Sequence, residues 1–242
     1  MKKHRVSIVV PIYNEKENIP LLVNAIVQAV PDYHELILIN DGSKDGSAQV
    51  LDKIAPKHKN IRVLHFRKNY GQTSAMDAGF KAATGDVIVP LDADLQNDPK
   101  DIPRLVKKLD EGYDVVCGWR AARKDPILKK VVSKMANFLR RRLIAENIHD
   151  SGCTMKAFRK ECFDRIDLYG EMHRYIPAFL RTRGFRVTEL KVTHHPRRHG
   201  VSKYGHKRMV KGFLDLIMIY YWTHFATRPV HVFGALGILS FI

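Results

Sequence analysis

The chain has 242 residues, 45% hydrophobic and 27% charged, the balance of a globular protein, so disorder is not the default. That length can bury one large core or two small ones. Forty-one Lys and Arg against 25 Asp and Glu give a formal charge of +16, which calls for an anionic partner: nucleic acid, an anionic membrane or a phosphorylated substrate.

Met1 to Arg5 carries no long apolar stretch and no cleavage site, so the N-terminus is not a signal peptide. Val6 to Val10, rich in β-branched residues, is closed by Pro11. Ile12-Tyr13-Asn14-Glu15 follows, then an apolar-periodic helix from about Ile19 to Ala29. This strand, loop and helix recur. Leu36 to Ile39 runs into the turn Asn40-Asp41-Gly42-Ser43 and a helix with Val50, Leu51 and Ile54 on one face. Ile61 to Phe66 runs into the loop Arg67 to Gly71 and the Ala-rich helix Thr73 to Ala83. Strand Val87 to Leu91 and helix Ile102 to Leu109 make a fourth unit, and Val115-Val116-Cys117 reads as a fifth strand. Strands alternating with helices predict an α/β fold with a parallel sheet covered on both faces. Ligands of such sheets collect beyond the carboxyl ends of the strands, where Asn14, Glu15, Asp41 and Asp92-Ala93-Asp94 lie.

Leu91-Asp92-Ala93-Asp94-Leu95-Gln96 crowds hard oxygen ligands at the end of an apolar run bounded by Gly85-Asp86 and Asn97-Asp98-Pro99. If the chain stays extended there, the period of two aims Asp92, Asp94 and Gln96 the same way. Two carboxylates and an amide oxygen in one small volume repel each other unless a cation sits among them. Such oxygens suit Mg²⁺ or Mn²⁺, held by one or two carboxylates and the phosphates of a substrate. The alternative is a solvated acidic turn with a helix N-cap.

The charge excess belongs to the second half. From Arg120 to Arg142 the only acid is Asp125, and from Lys191 to Lys211 there is none. Ile127, Leu128, Val131, Val132, Met135, Phe138 and Leu139 form a helical apolar stripe ringed by Lys and Arg. It either lies in a membrane interface or packs on the sheet with a basic outer face. After a strand from Arg186 to Thr193, the run from His194 to Tyr204 is rich in anion donors; its histidines read as part of a basic loop rather than a zinc site. No glycine motif of the P-loop or dinucleotide type appears, so phosphates would be neutralised by metal and by Arg or Lys. Cys117, Cys153 and Cys162 are scattered and odd in number, which predicts a reducing compartment and no disulfide framework. Phe213 to Trp222 is apolar apart from Asp215, with aromatics at its end, as at a membrane surface. Val230 to Ile242 is apolar but shorter than the roughly 20 residues of a spanning helix, and is read as the start of one; the alternative is a buried terminal helix.

Val10-Pro11-Ile12-Tyr13-Asn14-Glu15, Asn40-Asp41-Gly42-Ser43, Asn69-Tyr70-Gly71-Gln72, Ala82-Ala83-Thr84-Gly85-Asp86 and the Asp92 to Gln96 run, in this order, resemble the family-two inverting glycosyltransferases of the GT-A fold. Within them the chain is similar to the polyisoprenyl-phosphate glycosyltransferases, through Ser151-Gly152-Cys153 and Gly200-Val201-Ser202-Lys203-Tyr204. The resemblance implies a Rossmann-like, mostly parallel sheet with helices on both faces, then juxtamembrane amphipathic helices and the start of a transmembrane helix. It divides the chain into a catalytic domain over 1–207, an interfacial helix over 208–228 and a membrane segment over 229–242. Pro11, Tyr13, Glu15, Asp41 and Asp92 would hold the nucleotide; Asp92, Asp94 and Gln96 would ligate Mg²⁺ or Mn²⁺. Arg120, Arg197, Ser202 and Lys203 would meet the acceptor phosphate, with Arg120, Arg197, Lys203 and Asp150 serving catalysis. The implied partners are a UDP- or GDP-linked sugar, a polyisoprenyl phosphate such as undecaprenyl or dolichyl phosphate, and an anionic membrane whose cytoplasmic face carries the catalytic domain. Homo-oligomerisation stays open.

A lipid phosphate monoester is largely dianionic at pH 7, its second pKa being about 6, so attack through its oxygen needs little base catalysis. The site must instead stabilise a departing nucleoside diphosphate and hold two anions together. A non-catalytic nucleic-acid binder would need its basic residues interleaved with stacking aromatics, and neither basic block is. A processive or soluble-acceptor transferase is the other enzymatic reading; the Gln-x-x-Arg-Trp-type motif of processive relatives is absent.

Overall fold

The computed structural model describes residues 3–121, 148–197, 218, 220, 221, 225 and 229–241. Residues Met1–Lys124 with Ile148–Val201 form one compact unit, and Asp125–Asn147 with Ser202–Ile242 form another. The first unit carries a seven-stranded sheet: β1 (Val6–Ile12), β2 (Glu35–Asn40), β3 (Ile61–His65), β4 (Val87–Pro90), β5 (Val115–Trp119), β6 (Lys156–Arg159) and β7 (Val187–Lys191). Across the sheet the order is β3-β2-β1-β4-β6-β5-β7. All pairings are parallel except the two made by β6, which runs antiparallel between β4 and β5.

Successive residues of these strands feed opposite cores, as a pleat with period two requires. Ile8, Val10, Leu36, Leu38, Val87 and Val89 face one cluster, closed by α1 (Asn18–Ala29), α2 (Ser47–Ile54) and α4 (Ile102–Leu109). Val9, Ile37, Ile39, Ile88, Val115 and Phe158 face the other, closed by α3 (Gln72–Ala82) and α5 (Ile176–Thr182). The strands therefore read as unbroken apolar runs, each buried Val, Leu or Ile stabilising the fold by roughly 1.5 to 3 kcal/mol. Gly79 sets how closely α3 approaches: a Cβ there would lie 2.3 Å from Val9 Cγ1.

The predicted βαβ units stand within a residue or two of their expected bounds. Two expectations are corrected. β6 was not anticipated; its two antiparallel pairings make the expected mostly parallel sheet a mixed one. The chain after β4 does not stay extended: strand pairing stops at Pro90, residues 93–95 turn, and Leu95 adopts φ 61°. Side-chain alternation thus cannot align Asp92, Asp94 and Gln96.

The stripe over 127–139 and the loop from Arg198 to Tyr204 lie outside the described residues, as does most of 213–222. In the second unit, α6 (Pro229–Phe241) exposes Val230, Phe233, Ile238, Leu239 and Phe241. Among the described residues no helix is long and apolar enough to cross a membrane.

At the start of β2, the carboxylate of Glu35 is 5% exposed. It accepts bonds from Ser7 Oγ, from the N–H and hydroxyl of Thr84, and from Arg62 Nη1 at 2.6 to 3.0 Å. Burial alone would raise its pKa; these donors outweigh burial and hold it at about 2, below the usual 4.5. A carboxyl depressed on folding contributes stability that is complete above its unfolded value and is lost as pH falls through the folded one. The shift corresponds to about 3 kcal/mol. Glu35→Gln should lower the thermal midpoint at pH 7 and flatten the loss of stability between pH 5 and 2; denaturant titrations across that range check it.

Candidate active site

The loops after β1 and β2 are laced together. Asn14, with φ 54°, donates its N–H to Ser43 Oγ and accepts from Lys44 N–H through Oδ1 at 2.8 Å. Glu15 N–H donates to Ser47 Oγ, and Glu15 Oε2 accepts from Asn18 Nδ2 at 2.6 Å. Pro11, in β1, and Tyr13, just past it, are half-buried beside this lacing.

Asp41 is buried and accepts three bonds from one loop: Tyr70 N–H at 2.7 Å, Gly71 N–H at 2.9 Å and Asn69 Nδ2 at 2.9 Å. Burial raises its pKa despite the backbone donors. The loop reaches Asp41 because Gly42 lies beneath it with φ 65°; a Cβ there would stand 2.3 Å from the Lys68 carbonyl carbon. Asn40 caps the same turn, its Oδ1 accepting from Ser43 N–H. Asp41 therefore organises the strip that leads into α3.

The first residue of α3, Gln72, donates Nε2 to Asp92 Oδ1 at 3.0 Å. Burial, then the charge of Asp94, pushes the Asp92 carboxyl up to about 6; a hydrogen bond from the Thr154 side chain and the charges of Arg120 and Lys156 pull the other way. The two aspartates thus feel each other although the chain turns between them. Asp94 Oδ1 accepts from Gln96 N–H, and its Oδ2 takes Arg197 Nη2 at 2.7 Å. The other end of that guanidinium, Nη1, lies 3.6 Å from Glu15 Oε1. Gln96 reaches instead toward His195, its Nε2 at 3.5 Å from the carbonyl.

Arg197 is delivered by a strap clipped across residues 96–101. His195 N–H donates to Gln96 C=O, His195 Nε2 meets Asp98 Oδ2 at 3.2 Å, Asn97 bridges His194, and Thr193 N–H donates to Asp101 Oδ2 at 2.6 Å. The histidine-rich run thus begins as a basic strap on the acidic turn. At the end of β5, Arg120 grips Asp150 through Nε at 2.6 Å and Nη2 at 2.8 Å, with its own N–H on the same carboxylate. Burial disfavours both charges, but each outweighs that for the other: Arg120 is raised and Asp150 lowered. Cys153 is fully buried in the following loop, and burial pushes its thiol up to about 11.

The donor set invites a cation. A guanidinium already rests on Asp94 and Glu15, and carboxylate plus amide oxygens are the ligands hard divalent ions take, usually with one or two carboxylates and substrate phosphates. Among the described residues no group of three or more His, Cys, Asp and Glu converges on one point. Asp92, Asp94, Glu15, Arg120, Asp150 and Arg197 are all found in contacts at these loops; Ser202 and Lys203 lie outside the described residues. Sequence reasoning gave no role to Gln72, Thr154 or Lys156. A Gln opening a helix and a Lys inside a strand carry no local signal, and only the tertiary fold turns them to the carboxylates.

A family model, "Glycosyl transferase family 2", matches residues 7–167. The chain is a family 2 glycosyl transferase. The transferase is 41% identical over 240 residues to a dodecaprenyl-phosphate galacturonate synthase of Rhizobium johnstonii, a match covering 96% of this chain and 71% of that one. It is 39% identical to an undecaprenyl-phosphate 4-deoxy-4-formamido-L-arabinose transferase of Yersinia enterocolitica, across 98% and 72% of the two chains. Among solved structures it superposes, with TM-score 0.71 and 18% identity over 91% of this chain and 79% of the other, on a glucosyl-3-phosphoglycerate synthase of Mycobacterium tuberculosis, solved with Mn²⁺, UDP-glucose and phosphoglyceric acid. A mannosyltransferase of Pyrobaculum calidifontis with GDP-mannose and Mn²⁺ gives 0.61 at 17% identity, covering 99% of this chain and 81% of that one. The transferase thus has a mixed α/β, GT-A-like fold.

Arg197 occupies Asp94 Oδ2, so a divalent cation binding that carboxylate would have to compete with it. Removing a guanidinium from a partly buried carboxylate should strengthen binding of Mn²⁺ alone by about tenfold. Arg197→Ala titrated with Mn²⁺ under electron paramagnetic resonance should show that gain, and Asp94→Asn should show weaker binding than wild type.

Proposed function

We propose that this transferase moves a sugar from a nucleoside diphosphate to a polyisoprenyl phosphate, with inversion at the sugar carbon. The observation that carries the reading is the 41% identity, over 96% of the chain, to a transferase named for dodecaprenyl phosphate. The geometry agrees: carboxylates and guanidinium groups meet beyond the carboxyl ends of β1, β4 and β5, as two phosphorylated reactants require.

An oxygen of the lipid phosphate attacks the sugar's anomeric carbon from the face opposite the nucleotide. The bond to the donor phosphate breaks, and its electrons leave with the nucleoside diphosphate. Asp92 and Asp94 would hold Mg²⁺ or Mn²⁺, which when bound would supply Lewis-acid stabilisation to that leaving group. Gln96 can add its amide oxygen, since its contact to His195 uses only the nitrogen. Pro11, Tyr13 and Glu15 hold the nucleoside half, and Asp41 supports it through the 69–71 strip.

Arg120 presents its remaining edge to phosphate: Asp150 takes Nε and Nη2 and leaves Nη1. Asp150 accordingly positions Arg120 and moves no proton, because a phosphate dianion needs no base. Arg197, together with Ser202 and Lys203 further along the basic segment, is the second source of positive charge for the acceptor phosphate. The donor is UDP- or GDP-linked. The protein works at a membrane, with the catalytic unit on the cytoplasmic side. The exposed apolar side chains of α6 support this placement, and at 1.5 Å per residue its 13 residues reach about 20 Å of the roughly 30 Å core.

Membranes containing the full chain should pass radiolabel from a nucleotide sugar into organic solvent when given polyprenyl phosphate and Mn²⁺, and EDTA should abolish this. Asp94→Asn should keep the thermal midpoint and lower transfer by about a hundredfold or more. Unimpaired transfer by this variant would remove the cation from the mechanism. Deleting residues 213–242 should release much of the protein from anionic liposomes, the remainder depending on salt at roughly 1 kcal/mol per surface Lys or Arg.

A further inference from the structure

Lys156 begins β6 and is 3% exposed. Its ammonium donates to the carbonyl of Ser151 at 3.2 Å and to that of Cys153. Among the described residues no carboxylate pairs with it. Burying an ammonium against two neutral carbonyls is unfavourable, and an apolar side chain of similar length would avoid the desolvation. Packing therefore does not explain the charge.

The loop that Lys156 ties down lies against the site. In a trans peptide the C=O of one residue and the N–H of the next point in opposite directions, and no cis bond occurs among the described residues. With the carbonyls of 151 and 153 drawn inward to Nζ, the N–H groups of Gly152 and Thr154 turn away from the interior. Gly152 is exposed, and a Cβ on it would stand 3.5 Å from Arg120 Nη2 and 3.7 Å from Asp150 Oδ1. Thr154 is the residue whose side chain bonds Asp92. The outward edge of the loop thus lies between the Arg120 and Asp92 sides of the site. The charge of Lys156 is also felt by Asp92 and Asp150, favouring their ionised forms.

We propose that Lys156 is a positioning residue for phosphate: by holding two carbonyls inward it aims the backbone N–H groups of Gly152 and Thr154 at a phosphate group that Arg120 also contacts. This rests on the sugar-transfer reading above and names a residue beyond it. The phosphate belongs to the donor diphosphate or to the lipid acceptor, and the experiment separates the two.

Lys156→Met and Lys156→Arg are compared with wild type in the full-length, membrane-bound protein. Transfer kinetics give the KM for undecaprenyl phosphate, and titrations with UDP and with GDP in Mn²⁺ give nucleotide affinity. Lys156→Met should keep or raise the thermal midpoint, since removing a buried charge relieves desolvation. One phosphate-bearing ligand should nonetheless bind about tenfold more weakly, the scale of a lost hydrogen bond to a charged group. A rise confined to the KM for the lipid assigns the N–H groups to the acceptor; a loss confined to nucleotide affinity assigns them to the donor. Lys156→Arg, which keeps charge and donors, should fall between wild type and Lys156→Met. Unchanged values for both ligands in a folded Lys156→Met overturn the proposal, as does weakening that only tracks a fall in midpoint. If Lys156→Met does not fold, Lys156→Arg decides: wild-type KM and nucleotide affinity at a lowered midpoint refute the proposal. Failure of wild type to label the lipid would refute the transfer reading instead, and the nucleotide titrations would still test Lys156.

Discussion

Carboxylates gathered at the ends of β1 and β4 impose the constraint on which the site depends. Glu15, Asp92 and Asp94 stand where the strands end, partly withdrawn from water, and like charges brought together there call for positive charge nearby. Arg197 spans Glu15 and Asp94, while Gln72 and Thr154 bond Asp92. Arg120 and Lys156 contribute at longer range. Such an arrangement suits cations and phosphates alike, by the same need for balance. The strap over residues 193–197 belongs to that balance, since its clips to Gln96, Asp98 and Asp101 place a guanidinium on the acidic turn.

The sheet supplies the rigid ground for this crowding. Both faces of β1, β2 and β4 are apolar, so the strands are held by two cores and their ends cannot slide. In these three strands only Ser7, Glu35 and Asn40 are polar, and the carboxylates of the site lie on the loops. β1 lies between β2 and β4, with its chain leaving to one side and returning on the other; a crevice opens at such a reversal of strand order. Gly42 and Gly79 set the close approaches there. One lets the 67–71 loop down onto Asp41, and the other lets α3, which carries Gln72, settle against β1.

How much of this could be read beforehand follows from range. The βαβ units were legible because their signal is local: apolar runs of strand length, turn residues, then a 3.6-residue period. β6 was not, because Lys156 breaks the apolar run of Met155, Ala157 and Phe158, and a buried lysine reads as an exposed one. The Asp92 to Gln96 run was recognised by composition but given the wrong backbone, since the left-handed turn at Leu95 carries no glycine to announce it. Arg120 and Asp150 were each singled out, yet their pairing joins residues thirty positions apart. The contact of Arg197 with Asp94 spans more than a hundred. Local pattern carries no trace of either.

The three cysteines were read as a sign of a reducing compartment, and the structure gives their thiols a different significance. Cys117, Cys153 and Cys162 are all buried and in no disulfide, and burial pushes Cys153 and Cys162 up to about 11 and about 12. At neutral pH such thiols are almost wholly protonated, shielded from alkylating reagents and slow to oxidise. Cys153 sits in the Ser151 to Thr154 loop, beside Arg120. A reagent can modify it only while that loop is lifted from the core, so the speed of its labelling is a clock for the opening of the active-site wall.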